Sequence, residues 1–407
     1  MKDKKIYMTG IGGIGMSALA QYYAHEGAAV SGSDREESPT TAMLARKGIA
    51  VVIGQKGENV SEGAELLVYS DAVPADNPER TRAAALGIPQ QSYFEALGEV
   101  AKHKRTIAVA GTHGKTTTTA MLGRMLIEAG LDPTIVVGSI VSEWGSNFRA
   151  GKSDLFVVEA CEYKNHFLNF MPEILVITNI EFDHTDFFKS LAEVQASFGE
   201  ARRNAKKVID AAVYAHESVP ELLVPGEFNK ENARAAKAAA KILAPGVADA
   251  VWDRSLKSYK GTWRRFEYKG ELPGGAVLYD DYAHHPTAIA RTIAAAREKF
   301  PGKKIVVFFH PHLYSRTRDL FDDFAGALAK ADEAYVLPVY AAREPHDVAV
   351  SHEALATAAT AKGGHVRPLP NFEKTTEVLK TLGSDSIAFT MGAGDIYKAG
   401  EEALKFK

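Results

Sequence analysis

The sequence predicts an α/β protein of three domains, each built on a parallel sheet. Three observations predict it. At 407 residues the chain is longer than one ordinary hydrophobic core accommodates. Short apolar runs rich in Val and Ile alternate with helical segments, the pattern of parallel strands covered on both faces. Two glycine-rich loops each follow such a run and open a helix.

In chain order, the strand-like "KKIYMTG" leads into the helical "GMSALAQYYAHEG" and then the strands "AAVSGSD" and "AELLVYS". The polar "GEVAKHKRT" links to a second series, in which "TIAVAG" precedes the second glycine loop and "DLFVVEA" and "EILVITNI" add strands. The alanine-rich "NARAAKAAAKILA" is a helix by propensity. A third series begins near "YKGTWRRFEYKG" and contains "KKIVVFFH", "EAYVLPVY" and "SIAFTMG". The expected domains are 1–99, 100–262 and 263–407: a Rossmann-like N-terminal domain, a central phosphate-loop domain and a Rossmann-like C-terminal domain.

Composition bounds the function class. A net charge of −3 argues against a broad nucleic-acid face, so phosphate ligands need local basic groups and backbone N–H donors. No apolar run approaches the ~20 residues of a membrane span. "MKDKKIYMTG" enters a strand directly, with no signal-peptide pattern. The single cysteine, Cys161, excludes an intrachain disulfide and fits a reducing compartment. The expectation is a cytoplasmic protein without membrane insertion.

The first loop reads Gly10-x-Gly12-x-x-Gly15, and Asp34 follows 19 residues after Gly15. This is the dinucleotide fingerprint with its acidic ribose partner, and alone it favours NAD or FAD. A tight turn against a helix N-terminus suits a UDP diphosphate equally. A close helix–strand contact without a ligand is the bland alternative. The second loop, Gly111-Thr112-His113-Gly114-Lys115-Thr116-Thr117, is a compressed form of G-x-x-x-x-G-K-[ST]. Its glycines let backbone wrap an anion, Lys115 supplies a mobile charge, Thr116 is placed for Mg²⁺, and Thr117 is expected to cap the following helix. ATP is the expected ligand; a Thr-rich helix start after a turn is the alternative.

Further motifs follow in order: "VVEACEYKNHFL", "ITNIEFDHTDFF", "FNKENARAA", "RRFE", "DDYAHHPTAI", "FFHPHLYSRTRDLFDDFAGAL" and "MGAGDIY". Glu159 ends one strand, and Glu181, Asp183, His184 and Asp186 are read as ending the next, taken to be its neighbour. Asn229 and Asn232 share one face of a helix start. With the compressed loop, this ordered set resembles the Mur ligases, the ATP-dependent amide ligases of peptidoglycan assembly, over nearly the whole chain. Within that family "GIGGIGMSALA", "DDYAHHPT" and "PHLYSRT" most resemble the member that joins L-alanine to UDP-N-acetylmuramate. The resemblance implies an acyl-phosphate route with ATP and Mg²⁺, and a monomer or homodimer.

It also implies roles for individual residues. Gly10, Gly12, Gly13, Gly15 and Asp34 would hold the UDP-sugar, and Gly111 through Thr117 the ATP phosphates. Thr116, Glu159 and His184 would hold Mg²⁺. Asn229 and Asn232 would lie on the adenine side, and Arg265 and Asp281 would close over the nucleotide. Tyr282, His284, His312 and Arg316 would line the L-alanine site. Lys115, Glu159, His184 and Arg316 would carry the catalysis.

These choices are chemically coherent. A carboxylate repels nucleophiles, whereas its acyl phosphate accepts attack by an amine. That requires ATP, a divalent cation and cations around the moving phosphoryl group, and no protein nucleophile. Each residue also has a bland reading: His284 and His312 as packing residues, Arg316 and Arg318 as a solvated helix start, Cys161 as inert core. The chain departs from the resemblance in three places. Cys161 stands where the family more often has Asp, and Leu313 where some relatives carry Arg. Only 44 residues separate His184 from Asn229, an interval that relatives fill with several additional strands. The central domain is therefore expected to be trimmed. The competing readings are a sibling ligase that recycles a tripeptide onto the same UDP-sugar, a nicotinamide-dependent oxidoreductase, and a nucleotide-binding protein that has lost catalysis.

Overall fold

A computed structural model describes residues 1–342, 344–347 and 349–405. It contains three sheets, and every strand read from an apolar run is present. The first sheet is β1 (Lys5–Thr9), β2 (Ala29–Asp34), β3 (Ala50–Ile53), β4 (Leu66–Tyr69) and β5 (Gln90–Ser92), in the order β3-β2-β1-β4-β5 and parallel throughout. Strand order reverses between β1 and β4. The loop Gly10–Gly15 leaves β1 at this switch point, where open α/β sheets leave a crevice for ligands.

The second sheet is β6 (Arg105–Ala110), β7 (Thr134–Val141), β8 (Ser146–Arg149), β9 (Leu155–Glu159), β10 (Ile174–Ile177) and β11 (Lys207–Ile209), in the order β11-β10-β6-β9-β7-β8. The third is β12 (Glu267–Glu271), β13 (Val277–Asp281), β14 (Lys304–Phe309), β15 (Glu333–Val336), β16 (Val366–Pro368) and β17 (Ser386–Met391), in the order β12-β13-β17-β14-β15-β16. The "SIAFTM" of β17 is buried at all six positions because the strand lies inside the sheet with both faces covered.

Four expectations need correction. The second and third sheets each carry one antiparallel edge pair, β7–β8 and β12–β13, formed by short connections that reverse the chain. Strands β9 and β10 are not neighbours, because β6 lies between them. β10 ends at Ile177, so Glu181, Asp183, His184 and Asp186 lie in the segment beyond it. Thr117 is not a cap: the helix begins at Lys115, and Gly114, at φ 84°, occupies the cap position without a side-chain hydrogen bond. The short interval between His184 and Asn229 contributes one strand, β11, to the sheets.

The chain forms two compact units. One comprises 1–180, 195–220 and 232–256, and holds the first two sheets. The other comprises 181–194, 221–231 and 257–407, and holds the third. Within the first unit the helix Ile14–His25 is buried from Met16 to Tyr23, because it packs on the second sheet as well as its own. Tyr22 meets the rings of Phe148 and Phe156. Beside them Gln21 Nε2 donates to Asn147 Oδ1 at 2.9 Å, and Ser146 Oγ donates to Gln21 Oε1 at 2.9 Å. A buried polar set of this kind fixes one packing arrangement, because each group shifted out of register loses its partner. No described helix is long and apolar enough to cross a membrane.

Candidate active site

In the first glycine loop the reason for each glycine differs. Gly10 has φ 78°, a backbone that favours glycine. A Cβ on Gly12 would lie 2.6 Å from Thr41 Cγ2 and 2.8 Å from Asp34 Oδ2, and one on Gly15 would lie 2.6 Å from Tyr93 Cζ. Gly13 meets neither demand, since its nearest contact would be 3.4 Å away. Asp34 Oδ2 accepts the Gly12 N–H at 2.8 Å and its Oδ1 the Arg35 N–H at 2.7 Å, which ties the carboxylate to the loop.

The second loop is held from below. Gly111 and Gly114 have φ 134° and 84°. A Cβ on Gly111 would lie 2.1 Å from Thr178 Oγ1, and one on Gly114 would lie 2.1 Å from Asn232 Oδ1. Asn232 therefore packs directly under the loop, whereas Asn229 donates from Nδ2 to the Pro225 carbonyl at 2.6 Å. Asn179 clamps His113 from both sides, accepting its N–H at 2.8 Å and donating to its carbonyl at 3.0 Å. Thr112 donates its N–H to the Asn179 carbonyl at 3.1 Å.

Lys115 Nζ reaches both oxygens of Glu162, at 3.1 and 2.9 Å, and the Thr112 carbonyl at 3.3 Å. The Glu162 side chain is only 2% exposed. Burial works to lower the Lys115 ammonium, and the Glu162 carboxylate more than offsets it, so the lysine titrates above its usual range. Beside it burial pushes the Cys161 thiol up to about 12, which keeps it neutral. Thr116 Oγ1 donates to Glu159 Oε2 at 3.1 Å, and Glu159 Oε1 accepts the Gly138 N–H. A hydroxyl and a carboxylate this close are the hard oxygen donors that Mg²⁺ takes, so this pair fits the metal implied by the sequence.

The second unit gathers the remaining residues around a carboxylate that the sequence reading left without a role. Arg316 Nε donates to Asp183 Oδ1 at 2.7 Å, with the two side chains 3% and 5% exposed. Burial acts to raise the Asp183 carboxyl, but the Arg316 guanidinium, helped by His184, His285 and His284, holds it well below the usual carboxylate range. His184, with φ 55°, donates its N–H to the same oxygen at 2.7 Å. Arg316 Nη1 lies 3.4 Å from His312 Nδ1. His284 places Nδ1 2.8 Å from the Tyr282 carbonyl, so Nδ1 carries the proton. Burial and then the Arg316 charge push the imidazole well below its usual range. It stays neutral, with Nε2 as a lone-pair acceptor.

Arg265 lies over the Tyr282 ring, 4.9 Å from its centroid. Asp281 is engaged in its own unit, accepting the Phe266 and Ala283 N–H groups at 2.8 Å each. Burial, partly countered by Arg265, raises its carboxyl to about 6. Arg318 is exposed and pairs with Asp319 and Asp347, as its bland reading expected, whereas Arg316 is not a solvated residue.

Family models match nearly end to end: the Mur ligase family catalytic domain over residues 5–105, the Mur ligase middle domain over 109–214, and the Mur ligase glutamate ligase domain over 264–394. The chain belongs to the Mur ligase family. It is 38% identical to a UDP-N-acetylmuramate–L-alanine ligase of Agathobacter rectalis, covering 99% of this chain and 98% of that one. A ligase of the same name from Desulfitobacterium hafniense is 40% identical, covering 98% and 99%. The alignment to the Agathobacter relative runs over 455 positions against 407 residues here, so the relative carries additional segments, in line with the trimmed Mur chain. Among solved structures, the UDP-N-acetylmuramate–alanine ligase of Thermotoga maritima superposes with a TM-score of 0.84 at 28% identity, covering 98% of each chain. A murein peptide ligase of Psychrobacter arcticus shares the fold, with a TM-score of 0.71 at 21% identity over 99% and 98%.

Three residues of this Mur chain that contact the expected site residues escaped the sequence reading, Gly138, Glu162 and Asn179, and a fourth, Asp183, was named there without a role. Glu162 and Asp183 stand inside motifs that were singled out, and their proximity to Glu159 and His184 was the available signal. Nothing in the sequence marks Gly138 or Asn179.

Proposed function

We propose that the chain joins L-alanine to UDP-N-acetylmuramate at the expense of ATP, which ends as ADP and phosphate. The observation that carries this reading is the 38–40% identity, over 98–99% of the chain, to ligases of that name. The sugar's carboxylate attacks the γ-phosphorus of ATP, displacing ADP and forming an acyl phosphate. The neutral amine of L-alanine then attacks the acyl carbon, and inorganic phosphate leaves with the bond electrons while the nitrogen gives up one proton to solvent as the amide forms.

Lys115 supplies positive charge to the β- and γ-phosphates once ATP draws it from Glu162. Thr116 and Glu159 would hold Mg²⁺, and the ion would neutralise the charge that moves with the phosphoryl group. Gly10 to Gly15 take the UDP diphosphate at the helix N-terminus. Asn232 supports the nucleotide loop. Arg316 binds the amino acid's carboxylate, and His284, kept neutral, accepts a hydrogen bond from its amine. Tyr282 and His312 complete the pocket for a small side chain. Because its substrates are nucleotides, the reaction is read as cytoplasmic.

Phosphate release from ATP tests this reading, measured with UDP-N-acetylmuramate and L-alanine, glycine, L-serine, a tripeptide or no acceptor. Release that requires the UDP-sugar and is fastest with L-alanine is expected. Preference for the tripeptide would make the chain the recycling sibling. NAD(H) binding with no response to the UDP-sugar would restore the oxidoreductase.

A further inference from the structure

We infer that Asp183 is a positioning residue for the amino-acid substrate: it grips Arg316 by Nε and so presents the opposite edge of the guanidinium to the incoming carboxylate. This rests on the proposed role of Arg316. A guanidinium offers two edges for a paired contact with a carboxylate, Nε with Nη2 and Nη1 with Nη2. Asp183 Oδ1 takes Nε at 2.7 Å, and His312 lies 3.4 Å from Nη1 through both its Nδ1 and its carbonyl. Among the described residues Nη2 has no hydrogen-bond partner, so the Nη1–Nη2 edge is the one left for a ligand.

Asp183 is itself fixed. Its Oδ1 also accepts the His184 N–H at 2.7 Å, at a residue with φ 55°. The two residues before it are tied to one helix start: Thr287 Oγ1 donates to Glu181 Oε2 at 2.7 Å, and His285 Nε2 lies 3.1 Å from the Phe182 carbonyl. Three consecutive residues, 181 to 183, thus anchor to Thr287, His285 and Arg316. A buried, charge-assisted contact on an anchored segment sets the direction of the arginine, which an arginine on a helix of six residues, Tyr314–Asp319, would not otherwise keep.

The test is a double-mutant cycle in the full chain, reading KM for L-alanine and kcat at saturating ATP and UDP-N-acetylmuramate. Asp183→Ala is expected to raise that KM roughly tenfold or more, with kcat and the other two KM values within about threefold. Asp183→Asn keeps an acceptor oxygen without the charge and is expected to raise it by a smaller factor. In an Arg316→Ala background neither change has a further effect, because the positioned group is gone. If Asp183→Ala does not fold, by urea denaturation, the Asn variant decides: a raised KM supports the inference and an unchanged one overturns it. An unchanged KM in a folded Asp183→Ala protein also overturns it, as does a full additional loss in the Arg316→Ala background. An unchanged KM in Arg316→Ala alone would instead remove the proposed role of Arg316.

Discussion

Gly138→Ala tests the metal assignment through a residue whose backbone N–H donates to Glu159. An ideal Cβ there lies 2.6 Å from Glu159 Oε2 and 2.9 Å from both Cδ and Oε1. Ordinary carbon–oxygen contact begins near 3.4 Å, so the carboxylate must retreat by about 0.8 Å at Oε2. That displacement breaks the 3.1 Å contact between Oε2 and Thr116 Oγ1 and removes the pair of oxygens assigned to Mg²⁺. The fold should tolerate the change, because the obstructing atoms end a side chain that can rotate and alanine loses less chain entropy than glycine. The unfolding free energy is expected to stay within about 1 kcal/mol of wild type. The Mg²⁺ concentration for half-maximal rate should rise roughly tenfold, equivalent to about 1.4 kcal/mol of lost ion binding. A Mg²⁺ titration of phosphate release measures it, and electron paramagnetic resonance of Mn²⁺ with ADP gives the same comparison without turnover. Wild-type curves in both, for a variant of wild-type stability, would refute the assignment of Thr116 and Glu159.

Three further outcomes follow from the same geometry. Lys115→Ala should lower kcat by on the order of 10²-fold or more, and it also strands the buried Glu162 carboxylate; adding Glu162→Gln should restore urea stability but not turnover, and restored turnover would contradict the phosphate-loop role. Gly15→Ala drives a Cβ into the Tyr93 ring at 2.6 Å, so calorimetry on the full chain should show weakened binding of UDP-N-acetylmuramate, and unchanged affinity would remove that loop from the substrate site. Burial lowers His310 to about 4 from an ordinary 6.5, so below pH 6.5 the unfolded chain binds the proton that the folded chain refuses and stability falls with pH. By pH 5 this linkage amounts to about 2 kcal/mol. The gap in unfolding free energy between wild type and His310→Asn should shrink by that amount from pH 7.5 to pH 5, a comparison in which the opposite drift from Asp281 cancels; a pH-independent gap would contradict it.

The readable parts of this chain were those that repeat a pattern over several residues. Runs such as "KKIVVFFH" and "SIAFTMG" announce buried strands because hydrophobic burial acts on the whole run. The polar "QQS" of β5 and the three-residue β11 and β16 carry too few apolar side chains to do so. The phosphate loop was legible because its glycines, lysine and threonine are required by chemistry at fixed spacing. Its cap was misread because the left-handed backbone at Gly114, rather than a threonine hydroxyl, starts the helix. Arg316 was found, but not what holds it: an ion pair between residues 133 positions apart leaves no local trace. Asp34 satisfied the ribose-partner spacing, and that spacing carries no sign of the hydrogen bond by which it accepts the Gly12 N–H.

On the proposed route a carboxylate is activated as an acyl phosphate before the amine attacks. The most direct measurement supplies UDP-N-acetylmuramate labelled with ¹⁸O in its carboxylate, together with ATP, Mg²⁺ and L-alanine, and analyses the released phosphate by mass spectrometry. The phosphate oxygen bridging to the acyl carbon is expected to derive from that carboxylate, so ¹⁸O appears in the phosphate in step with amide formation. Amide formed with unlabelled phosphate would contradict it.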